Sequence, residues 1–336
     1  MAKNIDPAAR ALRVRQNDPA TVAAQLVERF GRQRPLRGGS LIVTIFGDSI
    51  MPRGGAIALG SLIRVASPFG LNERLVRTAT ARLAQEGWLE GRRGGNLSEY
   101  RLSAGGRERF AEATLRIYAG PLTEWSGRWS LVVLPPMRAA KRQKMRQELN
   151  WRGFGEIGSG VFAHPENLLG ELAPPGQATN LVPGAILFDA RLSDGAAAAR
   201  LVALGWDLAE LGKKYQGFVK RFSNALSACR AHTRMDPEAA FIIRTLLIHE
   251  YRRLHLRDPL LPARLLGANW PGTRAAELCR DIYARVFEAS EAHLSRVAAQ
   301  LEGPLPAPDP SVLRRFGGIT VQRSIGPLLE NADDLR

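Results

Sequence analysis

The 336-residue sequence predicts an α+β protein in three structured parts. A small helical segment closes with a β-hairpin, a middle segment has β-α-β-β-α-β order, and the C-terminal region is helical. Three observations predict this. In the first part, apolar residues recur at helical spacing and then give way to two short alternating runs around a Gly-Gly-Asn turn. From residue 125 to 192, strand-like apolar runs alternate with amphipathic segments, one strongly basic and one opened by proline. From residue 194 onward, long helical patterns dominate.

Residues 1–35 read as an arm and a short helix. The first 17 have few large apolar groups to bury. Asp18-Pro19 is an N-cap followed by proline in the first turn, and Val22, Leu26 and Val27 form a stripe ending near Phe30. "GRQRPLRGG" is a basic linker.

Residues 36–120 hold the first folded part. In "SLIVTIFGDSIM", Leu41, Ile42, Ile45 and Phe46 share one helix face, and "PRGG" breaks the helix. "AIALGSLIRVASPFG" predicts a second helix, stopped by Pro68 and Gly70. Asn72 caps a third, with Leu75, Val76, Ala79 and Leu83 buried and Gly87 at its end. Strands follow at 88–92 and 98–102 around a turn at 93–97, then a helix over 104–118. Helix, helix, helix, hairpin, helix is the order of a winged helix-turn-helix.

Residues 121–193 give strand "RWSLVVLP", basic helix "RAAKRQKMRQELN", two short strands around Gly158–Gly160, helix "PENLLGEL" and strand "GAILFDARL". This is the ferredoxin-like order. Residues 194–302 form the helical region. Asp236 caps a helix ended by Asp258-Pro259, with apolar positions nearly all round its early turns, so it is buried there. Thr273 caps another, with Leu278, Ile282 and Val286 on one face. "GPLPAPDP" opens a Pro-rich tail over 303–336.

Hydrophobic content of 45% and charged content of 24% are ordinary for a soluble globular chain. The net charge of +15 is not, and it points to a polyanion, either nucleic acid or an anionic membrane surface. Residues 1–120 hold 19 Lys/Arg against 10 Asp/Glu, more than half of the excess. No apolar run reaches the ~18 residues of a membrane span, and the N-terminus has no secretory core. Cys229 and Cys279 have neither metal-ligand nor disulfide-framework spacing. Together these predict a cytoplasmic protein with no membrane partner.

The third helix and the hairpin after it carry the strongest functional pattern. Arg74, Arg77, Thr78, Ala81 and Gln85 share a face roughly opposite the apolar stripe, with Arg82 beside them. Such side chains hydrogen-bond base edges or phosphates in a major groove. In the hairpin, alternation directs Trp88, Tyr100 and Leu102 inward and leaves Arg92, Arg93, Asn96 and Arg101 to reach a phosphate or the minor groove. A solvated helix with basic decoration is the bland alternative. The succession of helices, basic helix and basic-tipped hairpin favours double-stranded DNA, with Asn72 at the mouth of the helix.

"SLIVTIFGDSIMPRGG", "LNERLVRTATARLAQEGWL" and "YRLSAGGRERF" resemble the N-terminal winged-helix domain of the PaaX family, repressors of phenylacetate-type catabolic operons. "RWSLVVL", "WRGFGEIGSGVFAHP" and "FIIRTLLIHEYRRLHLRDPLLPARLLGANWPG" resemble its central and C-terminal regions, so the likeness covers about residues 36–300. It implies a central domain similar to CRISPR spacer-acquisition proteins, a homodimer on a partly palindromic operator, and an aryl-CoA thioester effector such as phenylacetyl-CoA. No cofactor is implied.

Other chemistry is weaker. A metal-dependent nuclease of the ferredoxin-like class needs a carboxylate near the end of its first strand. Here that strand ends "LVVLPPM", and Asp189 stands on a later strand without an evident partner. His164, His249 and His255 make no metal set, and neither HExxH nor CxxC occurs. The expectation is a non-enzyme without metal. An RNA-binding or nuclease-like role for the basic helix 138–146 is the alternative. A CoA thioester needs cations for its phosphates and an apolar slot. "HEYRRLHLRDP" offers Arg252, Arg253 and Arg257 beside His249 and Tyr251, the candidate effector residues; an interdomain ion-pair network, for example Arg252 or Arg253 with Asp258 or another acid, is the structural alternative.

Overall fold

The computed structural model describes residues 18–34, 38–118, 125–165, 184–192 and 194–319. The expected arm, all but the first residue of the "PENLLGEL" helix, and the tail beyond residue 319 lie outside these residues.

In chain order the elements are α1 (Pro19–Gly31), α2 (Gly38–Ile45), β1 (Ala56–Ala58), α3 (Leu59–Ala66), α4 (Glu73–Gln85), β2 (Leu89–Gly94), β3 (Leu97–Leu102) and α5 (Ala104–Tyr118). Then come β4 (Arg128–Val133), α6 (Ala139–Trp151), β5 (Gly155–Gly158), β6 (Val161–His164), β7 (Ile186–Arg191), α7 (Gly195–Gly205) and α8 (Leu208–Ala231). α9 (Pro237–His255), α10 (Ala263–Leu266), α11 (Pro271–Val297), β8 (Ala299–Gln300), β9 (Gly303–Pro304) and a 3-10 segment (Pro310–Gly317) complete the described chain. The chain divides into two compact units. The first takes residues up to Glu112, Arg221–His249 and residues from Leu278 onward; the second takes Ala113–Lys220 and Glu250–Glu277.

In the first unit, α1 begins as predicted, with the Asp18 carboxylate accepting the Thr21 N–H at 3.1 Å. α2 passes into a π-helical turn at Phe46–Ile50 and a 3-10 turn at Met51–Arg53. The expected single apolar face is too narrow, because Thr44, Asp48 and Ser49 are buried as well. The second predicted helix is corrected at its start. Ala56–Ala58 form a strand, paired antiparallel to β3 with Ile57 opposite Tyr100, and α3 begins only at Leu59. Alanine's helical preference, a weak prior, yields to pairing with a strand distant in sequence. The sheet order is β1-β3-β2.

α4 keeps its predicted signals. Asn72 Oδ1 accepts the Leu75 N–H at 2.9 Å. At the other end Gly87 takes φ 72°, Trp88 N–H donates to Leu83 O and Gly87 N–H to Ala84 O. This is a Schellman ending, and it needs a residue without Cβ strain at positive φ. The hairpin strands run one or two residues further toward the tip than expected, leaving a two-residue turn at Gly95-Asn96 with Gly95 at φ 59°. A two-residue turn of this kind takes glycine at its first position.

All of residues 239–249 on α9 are buried, matching the predicted apolar surround. Asp236 caps α9 through the Ala239 N–H at 2.8 Å. α11 starts two residues before the expected Thr273, with Pro271 at its first position, where the missing N–H is no loss. Residues 303–319 are not a free tail: Leu305, Val312, Arg315, Phe316 and Ile319 are buried in this structure.

In the second unit, the sheet order is β5-β6-β4-β7, antiparallel throughout. The first and third strands of the segment are central, as the ferredoxin-like order requires. Alternation along β4 loads both faces. Val132, with Leu134 just beyond it, joins Leu149, Phe154 and Phe162 on one side; Trp129, with Leu131, joins Ala163, Ala198 and Val202 on the other.

Candidate nucleic-acid interface

α4 is anchored by Val76, Thr80 and Leu83, at i, i+4 and i+7. Thr80 replaces the expected Leu75 and Ala79 as the middle of the buried stripe; its hydroxyl donates to Val76 O at 3.0 Å and so enters the core satisfied. Arg74, Arg77, Thr78, Ala81, Arg82 and Gln85 are all exposed, as predicted. They are not equally available. Arg77 pairs with Glu73 at 2.7 Å and Arg82 with Glu86 at 3.2 Å. The Thr78 hydroxyl donates to Arg74 O at 2.8 Å, and the Asn72 side chain is committed to the cap. The Arg74 side chain has no ion pair among the described residues.

The hairpin departs from the expected two-sided arrangement. Its register puts Leu89, Gly91, Arg93, Ser98, Tyr100 and Leu102 on one face and Arg92, Gly94, Leu97, Glu99 and Arg101 on the other. Arg92 and Arg101 therefore do not share a face with Arg93. Leu102 is fully buried, while Tyr100 and Trp88 are only half-buried; Trp88 precedes the strand and packs on Phe110. The second face is covered too, by the Leu301-Glu302 turn. Leu301 N–H donates to the Glu99 carboxylate at 2.9 Å, and Arg92 pairs with Glu302 at 2.8 Å. Arg101, half-buried, pairs with Glu99 at 3.3 Å and is less exposed than alternation suggests. Arg93 has no ion pair among the described residues, and Asn96 is exposed at the tip.

The candidate effector residues separate. His249 belongs to the first unit's core, with Thr44 Oγ1 at 3.1 Å from Nδ1 and Phe30 edge-on to its ring. Tyr251 is buried in the second unit, stacked on His255 and packed against Phe218. A helix buried all round gives no sequence sign of which flank meets a cavity. Burial pulls the Arg252 guanidinium down to about 10, with neighbouring Arg253 lowering it further. Arg253 and Arg257 do line a cavity of about 250 Å³ with Trp206, Glu210, Lys214 and Pro259. Trp206, Asp207 and Leu208 also border a more open apolar hollow formed by Ala199, Val202, Leu204 and Gly205. Asp258, the suggested ion-pair partner, instead accepts from Tyr215 Oη at 2.7 Å and from Leu260 N–H at 2.8 Å.

Two central-segment expectations are also refined. Asp189 has a partner: Arg128 Nε donates to it at 2.9 Å across β4 and β7. On the basic helix α6 and its N-cap, Arg146 pairs with Glu156 at 2.9 Å, whereas Arg138, Lys141, Arg142 and Lys144 have no ion pair among the described residues.

Sequence reasoning missed a buried charge cluster in the first unit. Arg244 Nε donates to Asp48 at 2.7 Å and Nη1 to Ser290 at 2.9 Å, and Arg244 also pairs with Glu291. Tyr283 Oη and Arg315 Nη1 donate to the same Asp48 carboxylate at 3.0 and 2.8 Å, and Arg53 Nε donates to Glu291 at 2.8 Å. Burial pushes the Tyr283 hydroxyl well above its ordinary value, so it stays a donor. A lone acid in "VTIFGDSIM" and a lone arginine in "FIIRTLLI" were the available signal.

The chain is 37% identical over 294 residues to a protein named transcriptional repressor PaaX from Escherichia coli (strain K12), a match covering 86% of this chain and 93% of that one. It belongs to the PaaX family. The PaaX-like protein model matches residues 37–106, a stretch that holds α2 to β3 and so both parts of the candidate interface. The PaaX protein central Cas2-like domain matches residues 122–202, and the PaaX-like protein C-terminal domain residues 206–296. Within the PaaX C-terminal match lie Arg253, Arg257, Arg244 and Glu291; Glu302 and Arg315 lie beyond it. A solved structure, the uncharacterized protein Rv0674 from Mycobacterium tuberculosis, is 24% identical, covers 69% of this chain and 89% of its own, and superposes with a TM-score of 0.47.

Proposed function

We propose that the protein is a transcriptional repressor that grips a duplex operator through α4 and the β2–β3 wing, and that an aryl-CoA thioester releases it. The observation that carries the reading is the anchored helix: Val76, Thr80 and Leu83 hold α4 while Arg74, Thr78, Ala81 and Gln85 stand exposed on its far side, next to a hairpin ending in Arg93 and Asn96. The name of the Escherichia coli relative supports it. In this reading α4 enters the major groove and the wing tip meets a phosphate, as in helix-turn-helix proteins. Lys and Arg contacts to phosphate make the affinity salt-dependent. A homodimer would place two copies of α4 on a partly palindromic operator, and the regulated genes would be an aromatic-acid catabolic operon of the phenylacetate type.

For the effector, the cavity at Trp206 has the right chemistry. Arg253 and Arg257 would face phosphates, joined by Lys214 once it leaves Glu210 at 3.0 Å, and the adjoining Ala199, Val202, Leu204 and Leu208 an apolar acyl group. Release requires the ligand to bind the DNA-free conformation more tightly; a 100-fold loss of operator affinity needs about 2.7 kcal/mol of such preference. The test is a footprint on the DNA upstream of the gene, repeated with phenylacetyl-CoA, alongside calorimetry of Arg257→Ala. A protected two-part site that phenylacetyl-CoA clears, with heat lost in the variant, is the expected result. No protected site overturns the repressor reading; an unchanged isotherm for Arg257→Ala overturns the effector placement.

A further inference from the structure

We propose that Glu302 sets the wing's affinity for DNA by occupying Arg92 in the place of a phosphate. The proposal rests on the DNA-binding reading above. Arg92 Nη2 lies 2.8 Å from the Glu302 carboxylate, with the two side chains 53% and 74% exposed. A phosphodiester approaching the wing therefore meets an arginine that already holds an anion. Carboxylate and phosphate compete for the same planar guanidinium donors. While Glu302 is in place, Arg92 brings no net charge to DNA, and a second anion faces the incoming backbone.

An isolated exposed pair of this kind is weak, because two long side chains lose freedom to form it. Here the acid's backbone is fixed in advance. The Leu301 N–H is bonded to buried Glu99 at 2.9 Å, and the Leu301 side chain lies so close to Gly94 that a Cβ there would come within 3.1 Å of it. Ala299 N–H donates to Ser61 Oγ at 3.0 Å, and Arg64 Nε to Val297 O at 3.2 Å. The β8–β9 turn is thus pinned to the face of the wing that carries Arg92. Arg93 points to the opposite face and has no ion pair among the described residues, which makes it an internal control.

The test is a double-mutant cycle on full-length protein and a duplex carrying the footprinted site. Glu302→Gln is expected to tighten binding about two- to five-fold, the fold-change equivalent of an exposed pair. It should also steepen the dependence of log affinity on log salt by about 0.9, the value of one added phosphate contact. Arg92→Ala is expected to change little in the native background and to erase the gain in the Glu302→Gln background. Arg93→Ala should weaken both backgrounds equally. Binding that does not respond to Glu302→Gln, or a gain that survives Arg92→Ala, overturns this proposal alone. Absence of binding by every protein, the native one included, overturns it together with the DNA-binding reading.

Discussion

Arg244 uses all three of its guanidinium nitrogens on partners inside the first unit, and its side chain keeps about 1% of its exposure. A buried charge is tolerable only when its neighbours replace water completely. The same residues make the cluster fragile. Arg244→Leu leaves the Asp48 carboxylate with less opposing charge and Glu291 with one cation fewer, and is expected to cost about 3–5 kcal/mol. Urea unfolding checks it; a loss below about 1 kcal/mol would mean that the cluster is wetter than its packing implies. Arg244→Lys should restore little, because a point charge cannot span Asp48, Ser290 and Glu291 together. The two thiols are the opposite case. Burial pushes Cys229 up to about 12 and Cys279 well above its ordinary value, which leaves both as inert packing groups.

At the scale of elements, α4 was legible because its signals are local: an Asn cap, a period of 3.6 and a Gly stop all lie within the helix and its ends. The ion pairs that divide its arginines are local too, at i and i+4, and they rank them. Arg74→Ala is expected to cost about 1–3 kcal/mol of operator binding if it reads a base, and Arg77→Ala less, since Arg77 must first leave Glu73. Gel-shift titrations of the two variants decide this, and equal losses would contradict the ranking. β1 was not legible. Three residues of Ala-Ile-Ala carry no strand pattern, and what makes them a strand is β3, more than 40 residues later. Nor was the covered face of the wing, since nothing near Arg92 announces a turn some 200 residues downstream. The candidate effector residues are spread apart for a related reason. Along α9, His249, Tyr251 and Arg253 are close in sequence but fall in different surroundings.

For the whole molecule, pH offers a readout that samples both units. His293, stacked on Phe241 in the first unit, and His255, stacked on Tyr251 in the second, are held below the ordinary imidazole value by burial. The unfolded chain takes up protons near pH ~6.5, while the folded chain takes them up only at lower pH. Protonation in that window favours the unfolded state, so stability is retained above pH ~6.5 and lost as pH falls below it. The expected observation is a melting temperature that declines from pH 7 toward pH 5, with a shallower decline in the His255→Gln, His293→Gln double variant; an unaltered slope would assign the effect to other groups. The discontinuous make-up of the first unit has a consequence for synthesis. Asp48 and Arg315 are 267 residues apart, so at about 5–20 residues per second the ribosome needs roughly 13–53 s to supply the second after the first. Until Arg244 follows, 196 residues after Asp48, the turn after α2 waits with its carboxylate unpaired, and the emerging α3–β3 segment has no finished core to rest on. A nascent chain of this kind is one for which holdase chaperones, rather than early domain folding, should govern yield.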